Sequence, residues 1–173
     1  HRLEADRLTL LLLEARLILM LPEELEIQRN INILEDFKKE MTIEQLFYLY
    51  TIQGIIAYQD NQFSQASHFF KEVFQLIKGY RMEDWEMAEL HYISGLSLLS
   101  ESRYILAIDY VKEAIFYFNQ EILIDRSIEC LMILGIAQKN SGVLKDALAT
   151  FEKAKDINLK IESSEFNGMI EHN

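Results

Sequence analysis

The chain is poor in the residues that interrupt regular backbone structure. Its 173 residues include one proline, six glycines and one cysteine. So little turn-forming material excludes the many hairpins of a sandwich or barrel, and all-α structure is predicted. The single cysteine, Cys130, excludes an internal disulfide and fits a reducing, cytoplasmic setting. Positive charge is also scarce: 17 Lys and Arg face 28 Asp and Glu, leaving a net charge of −11 spread along the chain. Such a surface repels a phosphate backbone, so no direct contact with nucleic acid is expected, and it favours a neutral or basic partner. The longest apolar run, residues 8–21, carries Glu14 and Arg16 at its centre and falls short of the roughly 20 apolar residues of a membrane span. A buried helix is expected there instead. Its apolar residues wrap wider than one neighbour would cover, which marks residues 8–21 as a possible homodimer or partner surface.

Signatures of chemistry are missing as well. His1, His68, His91 and His172 show no metal-ligand spacing, and the chain has no Gly-rich phosphate loop, CxxC pair or GxSxG elbow. His91 and Cys130 lie in apolar helical contexts that read as packing. No enzymatic activity, metal or cofactor is expected.

What the chain does have is an internal repeat. Gly54, Gly95 and Gly135 each stand twelve residues before an alanine: Ala66, Ala107 and Ala147. Nine residues after the glycines come Phe63, Tyr104 and Leu144; sixteen after come Phe70, Val111 and Phe151; nineteen after come Val73, Ala114 and Ala154. The glycine intervals of 41 and 40 residues define one helix-turn-helix unit used three times. A glycine inside a helix costs roughly 1 kcal/mol against alanine, so close packing must compensate, and the alanine of the following helix is the expected partner. The intervening turns, Asp60-Asn61-Gln62, Glu101-Ser102-Arg103 and Asn140-Ser141-Gly142, contain residues that tolerate a helix C-cap.

The register predicts helices over 42–59 and 63 to about 81, 84–100 and 104 to about 120, and 124–140 and 143 to about 161. Thr42 with Gln45 suggests a capping box. A leading pair, one helix to about Met20 and another from Pro22 to about Met41, forms a degenerate repeat or a linker over 1–41. The array itself occupies 42–161, and 162–173 is expected to be a loosely held tail or a truncated next helix. Glu72 and Glu113 stand one position before Val73 and Ala114, and Glu152 stands two before Ala154; all three read as a solvated outer face. The chain opens at His1 already inside a helical pattern, as an excised piece would.

The Gly/Ala/aromatic/Ala ladder resembles the tetratricopeptide repeat over about residues 42–160. The period of 40–41 residues exceeds the usual value of about 34, and Tyr50, His91 and Leu131 replace the expected tryptophan. Long degenerate repeats of this kind are similar to those of the peptide-responsive regulators of Gram-positive bacteria, the Rap, NprR, PlcR and PrgX group. The resemblance implies a right-handed superhelical array of antiparallel helix pairs, an α-solenoid of about eight helices, that binds a short signalling peptide in quorum sensing. Any output module would lie upstream.

Transferring the groove-facing positions by register from each glycine selects Tyr48, Thr51, Ile55 and Tyr58; Glu89, Tyr92, Leu96 and Leu99; and Glu129, Met132, Ile136 and Lys139, with Asn140 beside it. The resemblance thus implies a wall of aromatic and aliphatic side chains with Tyr48 and Tyr92 as anchors, and with Glu89 and Glu129 free to accept from a basic residue. Ile55, Leu96 and Ile136 fit packing between helices equally well. The reading is a peptide- or protein-binding domain, the sensor part of a cytoplasmic transcriptional regulator, whose partner is an apolar or basic peptide. Two alternatives remain. One is a constitutive interaction scaffold; the other is part of a Rap-like phosphatase, for which Gln28, the only glutamine before residue 45, lies in no supporting motif.

Overall fold

The computed structural model describes residues 7–14 and 24–171, with residues 24–26, 28 and 162–171 described by backbone alone. The rest of the helix expected to reach Met20, and the side chain of Gln28, lie outside the described residues. Every regular element among the described residues is helical. The chain divides into two compact units, His1–Met82 and Glu83–Asn173.

The first unit contains α1 (residues 7–14), α2 (Glu24–Asp36), a 3-10 turn (Lys38–Glu40), α3 (Ile43–Gln59) and α4 (Phe63–Leu76). Leu8 and Leu12 of α1 join Ile27, Ile31 and Leu34 of α2, Leu49 and Ile52 of α3, and Met41 in one core. Leu10 and Leu13 are 65% and 51% exposed, so α1 is covered on one side only among the described residues. The second helix stops at Asp36, short of the expected Met41. A 3-10 turn follows and brings Met41 in as an extended, buried residue, which aims the chain into the next helix. There the capping box forms: Gln45 N donates to Thr42 Oγ1 at 3.2 Å, and Thr42 N donates to Gln45 Oε1 at 3.0 Å. The fourth helix also ends early, at Leu76 instead of about Arg81. Gly79, at φ 90°, takes the left-handed conformation just beyond it, where a side chain would be strained.

The second unit contains α5 (Asp84–Ser100), α6 (Tyr104–Gln120), α7 (Ile124–Asn140) and α8 (Leu144–Glu171). The helix α8 runs unbroken through residues 162–171, which were expected to form a tail or a further helix. Ala88, Val111, Ala114, Phe118, Cys130, Ile133 and Leu134 make the core of this unit, and Leu98, Ala107 and Ala137 form a second cluster.

Within each pair the repeat glycine meets a different partner from the one expected. A Cβ added to Gly54 would fall 2.8 Å from Phe70 Cζ, one on Gly135 would fall 2.7 Å from Phe151 Cζ, and one on Gly95 would strike the Val111 side chain. The residue sixteen positions on lies nearest the missing side chain in every pair; the alanine at twelve comes within reach only at Gly95, where Ala107 O would be 3.6 Å from the added Cβ. The alanines Ala66 and Ala107 are fully buried beside that contact.

Three of the turns inside pairs, and the one between α6 and α7, share one hydrogen-bond pattern. Gln62 N donates to Ala57 O at 2.8 Å, Arg103 N to Leu98 O at 2.9 Å, Leu123 N to Phe118 O at 3.0 Å and Val143 N to Gln138 O at 2.9 Å. This Schellman arrangement needs a left-handed residue just after the helix. Asn61 and Ser102 at φ 60°, Ile122 at 58° and Gly142 at 86° supply it.

Candidate functional site

Residues at three- and four-residue steps on one helix share a face, so the selected positions form a stripe along α3, another along α5 and a third along α7. In the first unit Tyr48, Thr51, Ile55 and Tyr58 are all half-buried. Tyr48 sits edge-on to Phe47 with ring centres 5.2 Å apart, and Tyr58 lies 5.5 Å from the Phe63 ring, so both rings are already seated by neighbours. Thr51 Oγ1 is buried and has no hydrogen-bond partner among the described residues, so Thr51 does not offer that group to a ligand.

In the second unit the structure brings Glu89, Tyr92 and Glu129 together around a residue the register did not select. Arg126, in the first turn of α7, reaches across to α5. Its Nε donates to Glu89 Oε1 at 3.2 Å and its Nη2 to Glu89 Oε2 at 2.6 Å, a two-pronged fork, while Nη1 donates to Glu129 Oε2. The guanidinium carbon lies 4.3 Å from the Tyr92 ring centre and 5.2 Å from that of Phe118, which places the cation on aromatic faces. The expectation of two free carboxylates is therefore corrected: both already accept from Arg126. A signal for this residue was present, because Arg126 stands one helical turn before Glu129, nine residues ahead of Gly135, on the same stripe.

Burial works against the charge on Arg126, but the bonds to Glu89 and the fields of Glu89 and Glu129 outweigh it and raise its pKa above the usual arginine range. Burial raises the Tyr92 phenol, with Arg126 pulling the other way. The Cys130 thiol is pushed up to about 12 by burial, which makes it an inert packing residue at neutral pH. His91, between the rings of Tyr110 (5.6 Å) and Tyr117 (5.7 Å), is lowered to about 4 by burial and stays neutral.

The other selected residues divide. Leu96 and Leu99 pack against the core of the second unit. Met132 and Ile136 are 46% and 38% exposed and continue the α7 stripe beyond Glu129 as an open apolar strip. Lys139 and Asn140 are exposed at the far end of α7, about 20 Å along the helix from Arg126 at about 1.5 Å per residue. Asn140 does not join the charged cluster. It lines a separate surface depression of about 520 Å³ with Ser102, Tyr104 and Leu106. Among the described residues no group of His, Cys, Asp and Glu could hold a metal ion, and no helix is long and apolar enough to cross a membrane.

These features define a class: an all-α, tetratricopeptide-like domain of helix pairs, three of them packed with a glycine against a side chain of the partner helix. No family model matches the chain. In sequence it is similar to the transcriptional activator NprA of Geobacillus stearothermophilus, at 30% identity over 127 residues, 73% of this chain and 31% of that one. In fold it is similar to apo RapI (TM-score 0.80, 18% identity, 90% of this chain and 44% of that one) and to NprR in complex with its cognate peptide NprX (TM-score 0.76, 18% identity, 86% and 43%). The chain thus spans about a third of the curated relative and under half of the solved chains. The resemblance to the peptide-responsive regulators read from the glycine and alanine ladder holds in sequence through NprA and in fold through RapI and NprR.

Proposed function

We propose that this chain is the peptide-sensing part of a cytoplasmic transcriptional regulator, that it binds a short apolar or basic peptide on the α5 and α7 face of its second unit, and that it carries no catalysis itself. The observation that supports this best is the α5 and α7 face of the second unit. An oriented, partly exposed charge cluster on Tyr92 continues there into the open strip of Met132 and Ile136, a polar anchor beside apolar contact area. NprR, similar in fold, is described in complex with its cognate peptide, and NprA, similar in sequence, is a transcriptional activator. We take 42–161 as the recognition array and 1–41 as the pair that links it to an output module.

Calorimetric titration with end-blocked apolar and basic hexapeptides tests the reading. Saturable binding is expected, weakened about ten-fold or more in a Met132→Ala/Ile136→Ala double variant, since partly exposed apolar contacts of this size contribute about 1 kcal/mol each. The second reading, a scaffold that pairs through residues 8–21, draws on the exposure of Leu10 and Leu13. Absence of peptide binding, with a dimer that appears as concentration rises in sedimentation, would move the assignment to it.

A further inference from the structure

We infer that Arg126 is a resident stand-in for the ligand's basic side chain: it fills the cation position between Glu89 and Glu129, and a peptide bearing one positive residue takes Glu129 from it. This rests on the peptide-binding reading above and states which charge that peptide carries.

The two arms of the cluster are unequal. Glu89 is held by two prongs of the guanidinium, in the fork geometry that carboxylates favour. Glu129 is held by one, from three residues along the same helix, and its side chain is 51% exposed against 29% for Arg126. Arg126 is further pinned over Tyr92 and Phe118. The part that moves at least cost is therefore the Glu129 carboxylate, while Arg126 stays with Glu89. An exposed ion pair contributes about 0.2–1 kcal/mol, which a ligand cation can replace without opening the rest.

Charge decides which ligand gains from the exchange. Two carboxylates and one guanidinium leave the cluster at −1, on a chain whose net charge is −11. A ligand cation on Glu129 brings the cluster to neutrality. A ligand carboxylate on Nη1 would instead set a third negative group beside Glu89 and Glu129, a like-charge arrangement that is costly in a half-buried site. One helical turn on, Met132 lies beside Glu129, with Ile136 a further turn along, so an apolar residue adjacent to the basic one finds contact on the same stripe. The ligand class is a short peptide with one Lys or Arg next to apolar side chains, and acidic peptides are discriminated against.

The test is retention of end-blocked hexapeptide libraries on the immobilised full chain. The libraries are identical save for one fixed position that holds Lys, norleucine or Glu. The wild type is expected to retain the Lys library best and the Glu library least. Arg126→Met leaves both carboxylates uncompensated and should enlarge the Lys advantage by up to about five-fold, the factor that corresponds to about 1 kcal/mol. Glu129→Gln should abolish that advantage; because Glu129 is exposed and singly bonded, this variant decides the matter even if Arg126→Met does not fold. Wild-type retention of the Glu library that disappears in Arg126→Met would overturn the inference, because Arg126 would then be reading a ligand carboxylate. Retention with the same charge preference in all three proteins would overturn it alone, and no retention of any library by any protein would remove the peptide reading together with it.

Discussion

At the scale of single residues, the features that matter most are two misfits. Ile122 occupies the left-handed position of a Schellman turn where the equivalent turns use Asn61, Ser102 and Gly142. A β-branched residue there is strained by about 1–2 kcal/mol, and Ile122 is also 77% exposed, so burial returns almost nothing. Ile122→Asn is expected to raise the unfolding free energy by about 1 kcal/mol in urea titration with an unchanged m-value. The second misfit is His91, an ionisable ring at a packing position. Its folded pKa of about 4 lies below the ordinary 6.5, so the unfolded chain takes up the proton first as pH falls. Stability from this residue is complete above about pH 7 and is lost as pH falls through 6.5 towards 4, by as much as about 3 kcal/mol. His91→Phe keeps a ring between Tyr110 and Tyr117, and its melting temperature should fall less than that of the wild type between pH 7 and 4.5. Equal slopes would contradict this assignment.

At the scale of the element, three helix pairs share one close contact, a glycine against a side chain sixteen residues on. The ring of Phe70 or Phe151 occupies the volume that a side chain on Gly54 or Gly135 would need. Alanine is the better helix former by roughly 1 kcal/mol, yet Gly54→Ala is expected to destabilise the fold by about 1–3 kcal/mol, because the added methyl meets the fully buried Phe70 ring, and Gly135→Ala by less, because Phe151 is only half-buried and has more room to shift. Pairing Gly54→Ala with Phe70→Leu should recover part of the loss, a coupling that a double-mutant cycle measures. The boundaries of α5, α6 and α7 were legible because the repeat register fixes them from three directions at once: a glycine, an alanine and a turn at constant spacing. Those of α2 and α4 were not. There the chain leaves the repeat, and the stops depend on a 3-10 turn after Asp36 and on the left-handed Gly79, local events with no copy elsewhere in the sequence.

At the scale of the whole molecule, class and repeat were readable from periodicity because the same contact had to be satisfied three times. The charged cluster was readable only in part. Glu89 and Glu129 share a register position, so stepping by repeats found both, whereas Arg126 has no basic counterpart: the corresponding residues are Gln45 and Glu86. Periodicity finds what repeats share, and specificity lies in what one repeat alone carries. The corresponding position in the first unit has a consequence of its own. Gln45 caps the start of α3 with its oxygen and, through its Nε2, donates to Thr9 of α1 at 3.1 Å. One side chain thus closes two structures, and neither opens without loosening the other. In the language of hydrogen exchange, the attachment of α1 and the opening turn of α3 form one cooperative unit, so protection at the two places is gained and lost together.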